Sequence, residues 1–260
     1  MNVSQLSLAQ LRDLALPFLE RAREIALGTG KLEVSVKSDR NDLVTQVDRE
    51  IENFLAGKLE QATGYPMLGE EGHTRDSFAG RVWILDPLDG TMNYVATHRD
   101  YAISLALAED GVPVLGIVVD VVRGIVYSAI RGQGAFCDGK PLGRVPEDVG
   151  YRNAVLITDL KEICALPRLR EALTESRGHR RYGSAALELT EVACSRAGAF
   201  VHLSVSPWDI AAASLICGEV GVRVTRMDGT HLNVCEKGSI LAGWPQVHEE
   251  LLEKLIRAPR

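Results

Sequence analysis

The sequence predicts an α/β (α+β) layered sandwich, with helix layers alternating with sheet layers. Strand-like runs crowd the middle of the chain, and in the second half strands mix with helices of ten or more residues. No long linker separates the two regions, so the apolar faces of both element types must bury against each other. The 260 residues, 46% apolar and 25% charged, have globular proportions and exclude disorder, collagen and coiled coil. A chain of this length buries roughly three quarters of its unfolded surface, so its core needs no disulfide or structural metal.

Taken in order, Leu8, Leu11, Leu14, Ala15, Phe18 and Leu19 recur at helical spacing. They predict a helix over residues 7–27, closed near Gly28 and Gly30. The polar stretch 31–41 reads as a loop. A second helix is expected from about Thr45, with Val47, Ile51, Phe54, Leu55 and Leu59 on one face. Strands follow at 81–85, 103–108, 114–119 and 125–129, and Asp110-Gly111 and Arg123-Gly124 are turns that make the last three a meander. The second half reads as a strand at 154–157, helices at 165–176 and 184–197, a strand at 199–203 and a helix at 207–219. Strands at 222–225 and 239–242 and a helix at 246–257 complete it. The Pro-, Gly- and charge-rich stretch 139–150 is the one boundary at which two lobes, 1–140 and 150–260, could meet.

With 29 Lys+Arg against 35 Asp+Glu, the net charge of −6 argues against a protein that coats nucleic acid. Arg12, Asp13 and Glu20 interrupt the first twenty residues, so no export signal is read there. Glu109, Asp110, Asp120 and Arg123 break the most apolar region, 101–130, which therefore cannot span a bilayer. The five cysteines are odd in number and form no C-x-x-C, which suits reduced thiols in a cytoplasmic protein.

The sharpest motif is Asp86-Pro87-Leu88-Asp89-Gly90-Thr91, placed directly after the apolar run Val82-Trp83-Ile84-Leu85. A strand ending in Asp-Pro is expected to turn sharply and to bring its two carboxylates to one point. Gly90 lets the backbone approach a ligand, and Thr91 can open a short helix whose amides favour an anion. Convergent carboxylates beside an anion site suit Mg²⁺ shared with a phosphate. Taken alone, the same motif also reads as a surface turn with aspartate caps.

It does not stand alone. Leu68-Gly69-Glu70-Glu71-Gly72 and Asp42-Leu43-Val44-Thr45-Gln46-Val47-Asp48 precede it, and Pro207-Trp208-Asp209-Ile210-Ala211-Ala212-Ala213 lies far downstream. In this order and spacing the motifs resemble the inositol monophosphatase family, over about residues 8–257. That family lies within the Mg²⁺-dependent, lithium-sensitive phosphatases that also include fructose-1,6-bisphosphatases. The resemblance implies one phosphatase domain over residues 1–260, with the metal site in the first lobe and the substrate side in the second. It implies Glu70, Asp86 and the Leu88 carbonyl as ligands of a first Mg²⁺, and Asp86, Asp89 and Asp209 as ligands of a second. Two or three Mg²⁺ ions per site are implied. Thr91 paired with Asp48 would help Glu70 orient the attacking water. The Gly90 and Thr91 amides would hold the phosphate, and Gly183, Ser184, Ala185, His202 and Asp209 would line the substrate pocket. An all-carboxylate set suits a hard ion, whereas zinc would want His or Cys.

Other residues keep two readings. Glu71 is expected to be solvated or to stand behind a ligand rather than to ligate. Asp42 is a cap, a loop contact or a catalytic group. Lys37 is either a solvated lysine or the basic residue of a metal-covering loop. Trp208 reads as packing that fixes Asp209. The run from Gly134 to Lys140 has the spacing of a nucleotide phosphate-binding loop, but Pro141 stands where Ser or Thr would bind Mg²⁺, so it reads as a hairpin. Two departures from the family pattern stand out. Ala213 replaces a common Gly, and His202 stands where inositol-selective members carry a Glu. The implied substrate is a small phosphorylated metabolite, with inositol monophosphate leading. Histidinol phosphate, fructose 1,6-bisphosphate, NADP and 3′-phosphoadenosine 5′-phosphate are the rivals. A homodimer follows from family habit, and some bacterial relatives instead bind RNA polymerase.

Overall fold

Ser7 opens the first helix with a capping box, in which its Oγ accepts the Gln10 amide and the Gln10 side chain accepts the Ser7 amide. Helix α1 (Leu8–Leu27) buries Leu11, Ala15, Leu19, Ala22 and Ala26 along one stripe. The computed structural model describes residues 6–28, 34–36, 43–74 and 77–257. Lys37 and Asp42 lie outside the described residues. Part of the expected loop at 31–41 is a strand: β1 (Val34–Val36) pairs antiparallel with β2 (Leu43–Thr45). Helix α2 (Gln46–Thr63) follows directly and packs on α1.

A seven-stranded sheet comes next in the chain. Its strands are β3 (Met67–Gly69), β4 (Arg81–Asp89), β5 (Ala102–Glu109), β6 (Val112–Asp120), β7 (Ile125–Ile130), β8 (Ala135–Cys137) and β9 (Lys140–Pro141), neighbours in sequence order. Only β3 runs parallel to its partner, β4, and β5 to β7 form the expected meander. On β5, strand alternation sorts the side chains by size. Trp83, Leu85, Ile103, Leu105, Leu107, Leu115 and Ile117 pack with α1 and α2, while Ala102, Ala106 and Ala108 face the other way.

That small-residue face receives α7 (Pro207–Glu219), itself lined by Ala211, Ala212 and Ala213. A Cβ on Gly116 would lie 2.6 Å from the Ala212 carbonyl oxygen, so helix and sheet meet here at backbone distance. Gly116→Val should therefore destabilise the chain by about 1–3 kcal/mol through overpacking. At this size that lowers Tm by about 2–4 °C per kcal/mol in thermal denaturation. An unchanged Tm would mean that α7 can lift off the sheet without cost.

Helix α6 (Ala185–Ala193) packs beside α7 and against a second sheet. That sheet contains β10 (Val155–Thr158), β11 (Gly178–Arg180), β12 (Ala199–Val205), β13 (Arg223–Thr225) and β14 (Gly238–Gly243), in the order β11-β10-β12-β14-β13. Helices α4 (Leu160–Ala165), α5 (Pro167–Glu175) and α8 (Pro245–Leu252) complete the stack. The helix expected at 165–176 is α5, opened by Pro167, and α4 before it, capped by Asp159, was not expected. Strands β3 and β11 were too short to show a period, and the final helix passes into a wider turn at Glu253–Arg257. No helix among the described residues is long and apolar enough to cross a membrane.

Candidate active site

The Asp-Pro pair does not end its strand, contrary to the sequence expectation. Strand β4 continues to Asp89, with Asp86 opposite Ser104 and Asp89 opposite Ala102. Three steps on β4 thus match two on β5, which is a bulge. In a regular strand, residues three apart face opposite sides, and the extra residue brings Asp86 and Asp89 to the same side. Pro87 lacks an N–H and fits where the ladder is interrupted. The Leu88 amide donates to Asp86 Oδ1 at 2.9 Å, which fixes that carboxylate.

The start of α7 lies over this face. Ser104 Oγ donates to the Trp208 carbonyl at 3.2 Å, and Asp209 Oδ2 accepts the Ser206 amide at 2.7 Å within the α7 capping box. Glu70 arrives from the third side. The parallel register sets Gly69 opposite Leu85, so the next residue emerges beside Asp86. Its loop is held by Glu52, a buried residue that the sequence reading missed. The Glu52 carboxylate accepts the Glu71 amide at 2.7 Å and the His73 amide at 3.2 Å, and contacts His73 Nδ1 at 2.7 Å. Glu71 therefore contributes its backbone to holding the loop.

Gly90 caps α3 (Thr91–Ala96) at φ +96°, and a Cβ there would lie 3.1 Å from the Gly183 carbonyl. Only glycine allows both that backbone and that contact. Thr91 Oγ1 stands 3.2 Å from Asp48 Oδ1 on α2 and 3.2 Å from the Leu88 carbonyl. Asn93, also missed from sequence, ties the Gly90 and Gly183 turns together by donating from Nδ2 to the Asp100 and Tyr182 carbonyls, at 2.7 and 2.6 Å.

Asp89 is held more tightly than expected. Its Oδ2 accepts Ser184 Oγ at 2.6 Å and the Ala186 amide at 2.7 Å, and its Oδ1 takes the Ala185 amide at 3.2 Å. It caps α6 from outside the helix. Ser184 is buried behind the carboxylate and orients it. Glu188 pins the preceding turn by accepting the Tyr182 and Gly183 amides.

The carboxylates repel one another. Burial first, then Glu70, Asp89 and Asp209, push Asp86 well above the ordinary carboxylate range. Burial raises Asp89 to about 6, despite the three hydrogen bonds that lower it. Burial and then Asp89 push Asp209 up to about 8. Burial also raises Glu188 to about 7. Among the described residues, no three His, Cys, Asp or Glu groups are placed in this structure so that together they could hold a metal ion. The Asp89 oxygens are turned onto α6, and one Asp209 oxygen onto Ser206. A divalent cation still fits the donors, because the set is all oxygen and its mutual repulsion is what a cation relieves.

Asp89 and Asp209 line a cavity of about 190 Å³ with Gly183, Ala185 and His202. His202 stacks on Phe200 at a centroid distance of 5.8 Å, and its Nδ1 accepts the Ser204 amide. Gly90, Thr91 and Ser184 do not line this cavity, and neither do Glu70 and Asp86. A larger cavity of about 960 Å³, beside the β5–β6 turn, is lined by none of the predicted site residues. The run from Gly134 to Lys140 forms the β8–β9 hairpin, with Asp138 and Gly139 both at positive φ in its turn.

Known proteins resemble this chain in sequence and fold. The inositol monophosphatase family model matches residues 8–259. An inositol-1-monophosphatase of Bacillus subtilis (strain 168) is 37% identical over 235 residues, covering 87% of this chain and 88% of that protein. The Nus factor SuhB of Pseudomonas aeruginosa is 34% identical over 230 residues, covering 83% of each. The crystal structure of an IMPase/NADP phosphatase complexed with Mg²⁺ and phosphate superposes with a TM-score of 0.89 at 28% identity. That match covers 96% of this chain and 97% of the other. The family model over nearly the whole chain and a relative at 37% identity show the same thing: the chain belongs to the inositol monophosphatase family, a family of phosphoric monoester hydrolases.

Proposed function

We propose that the chain hydrolyses small phosphate monoesters in the cytoplasm, with inositol monophosphate as the leading substrate and Mg²⁺ as the cofactor. The observation that carries this reading is the electrostatic coupling of Glu70, Asp86, Asp89 and Asp209 beside a cavity. Glu70, Asp86 and the Leu88 carbonyl would hold one Mg²⁺, and Asp86, Asp89 and Asp209 a second. Bound there, Mg²⁺ would neutralise phosphoryl charge and lower the pKa of a coordinated water.

The chain's own residues would do the positioning. When the Thr91 hydroxyl donates its hydrogen bond to Asp48, the Thr91 oxygen is left as an acceptor for a water hydrogen. Glu70 would be the second acceptor. The Gly90–Thr91 turn would face the phosphate, held there by Gly183 and Asn93. Thr91→Ala should then lower kcat by roughly 10²–10⁴-fold, with a far smaller change in KM. A variant that raises only KM would make Thr91 a binding residue. The deciding experiment is Mg²⁺-dependent phosphate release from inositol 1-phosphate, beside histidinol phosphate, fructose 1,6-bisphosphate, NADP and 3′-phosphoadenosine 5′-phosphate. Release from none of them would overturn the reading.

A homodimer is the proposed assembly, tested by light scattering. The similarity to a Nus factor supports a second reading, in which the chain also acts in transcription by binding RNA polymerase. Retention on immobilised polymerase by a variant without turnover would establish that role as separate.

A further inference from the structure

The small cavity that Asp89 and Asp209 line is also lined by Asp159, Arg181 and His202. Asp159 is the N-cap of α4. Its Oδ1 accepts the Leu160 amide at 2.5 Å and stands 3.0 Å from Arg181 Nε. Both contacts fall on Oδ1, which leaves Oδ2 for a ligand. With Nε engaged, the Arg181 donors that remain are those on Nη1 and Nη2. Nη1 lies 3.4 Å from where a Cβ would sit on Gly183, another residue of the cavity wall. An acceptor and a donor fork are thus fixed side by side.

The charge of this wall decides what it can read. Burial pushes the Asp159 carboxyl up, but the Leu160 amide and Arg181 outweigh burial and hold it below its ordinary value. Burial, then Lys161, lower His202 against the pull of Glu162 and Asp159, so the ring is neutral at pH 7. With Nδ1 accepting the Ser204 amide, His202 carries its proton on Nε2. Behind the wall, Glu162 is buried 3.8 Å from His202 Nδ1 and 3.8 Å from Lys161 Nζ. Formal charges therefore cancel, Asp159 against Arg181 and Glu162 against Lys161. A second anionic group on a substrate would meet no net positive charge. A pair of adjacent hydroxyls would meet one acceptor and one donor fork.

We propose that the Asp159–Arg181 pair is a specificity-determining element that reads adjacent hydroxyls, so that the chain takes phosphate monoesters of a neutral polyol over those bearing a second anionic group. This deepens the phosphatase reading and rests on it. The test measures kcat/KM with Mg²⁺ for myo-inositol 1-phosphate, fructose 1,6-bisphosphate and p-nitrophenyl phosphate, in the parent, Asp159→Asn and Arg181→Lys. Asn retains the helix cap without the charge, and Lys retains the charge without the fork. The parent should favour inositol 1-phosphate over the bisphosphate. Each variant should lower the ratio of inositol 1-phosphate to p-nitrophenyl phosphate, which has no hydroxyl to read, by roughly ten- to a hundredfold. A ratio unchanged in both variants, or a parent that prefers the bisphosphate, would overturn the proposal while leaving the phosphatase reading intact. Failure to turn over all three esters would overturn the phosphatase reading itself.

Discussion

Asp209→Asn should abolish Mg²⁺-dependent turnover while leaving the metal-free chain folded and, at pH 8, no less stable than the parent. The Asn carbonyl oxygen can still accept the Ser206 amide, now 2.7 Å from Asp209 Oδ2, so the start of α7 is retained. What disappears is a charge that burial, and then Asp89, already make unfavourable. The loss of activity should exceed the roughly 10–100-fold that follows removal of an outer partner of a metal ligand. Phosphate release at saturating Mg²⁺ and thermal denaturation in chelator together check both halves. Parental kcat in the variant would sink the assignment of Asp209 as a ligand. Asp89→Asn is a poorer probe. Each Asp89 oxygen already accepts an α6 amide, so the Asn NH₂ would meet an N–H donor in either rotamer and cost the helix its cap.

The difference between these aspartates shows what a sequence reveals of such a site. The periodicity of α1 and α2 and the meander β5–β7 were readable, because long elements repeat their burial pattern many times. Asp86 and Asp89 were identifiable as a pair, but the turn expected between them is a bulge, and Pro permits either. The distinction depends on whether β5 offers a partner beyond Asp86, which is a tertiary fact. Glu52, Asn93 and Glu188 carry no motif. Each is one polar residue on a helix, and its role appears only where the chain returns to within hydrogen-bond distance. Asp159 was likewise hidden, because α4, the short helix that it caps, was not read from the sequence.

The last expected result concerns pH. In the metal-free chain the folded state holds Asp89 at about 6, Glu188 at about 7 and Asp209 at about 8, with Asp86 also raised. In the unfolded chain the same groups ionise near pH 4. Between those limits the native state binds more protons than the unfolded state, so stability falls as pH rises. The contribution is fully present below about pH 4 and is lost as pH passes through the folded values. Thermal denaturation in chelator should therefore show Tm decreasing from pH 5 to pH 8. Mg²⁺ should reverse the trend, because it binds the ionised carboxylates and removes their repulsion. Its stabilisation should be larger at pH 8 than at pH 5, where protons compete for the same oxygens. Asp209→Asn should flatten the metal-free slope, since the carboxyl raised to about 8 no longer titrates. A metal-free Tm that rises toward pH 8, or a Mg²⁺ increment that is greater at pH 5, would mean that these carboxylates do not share one field.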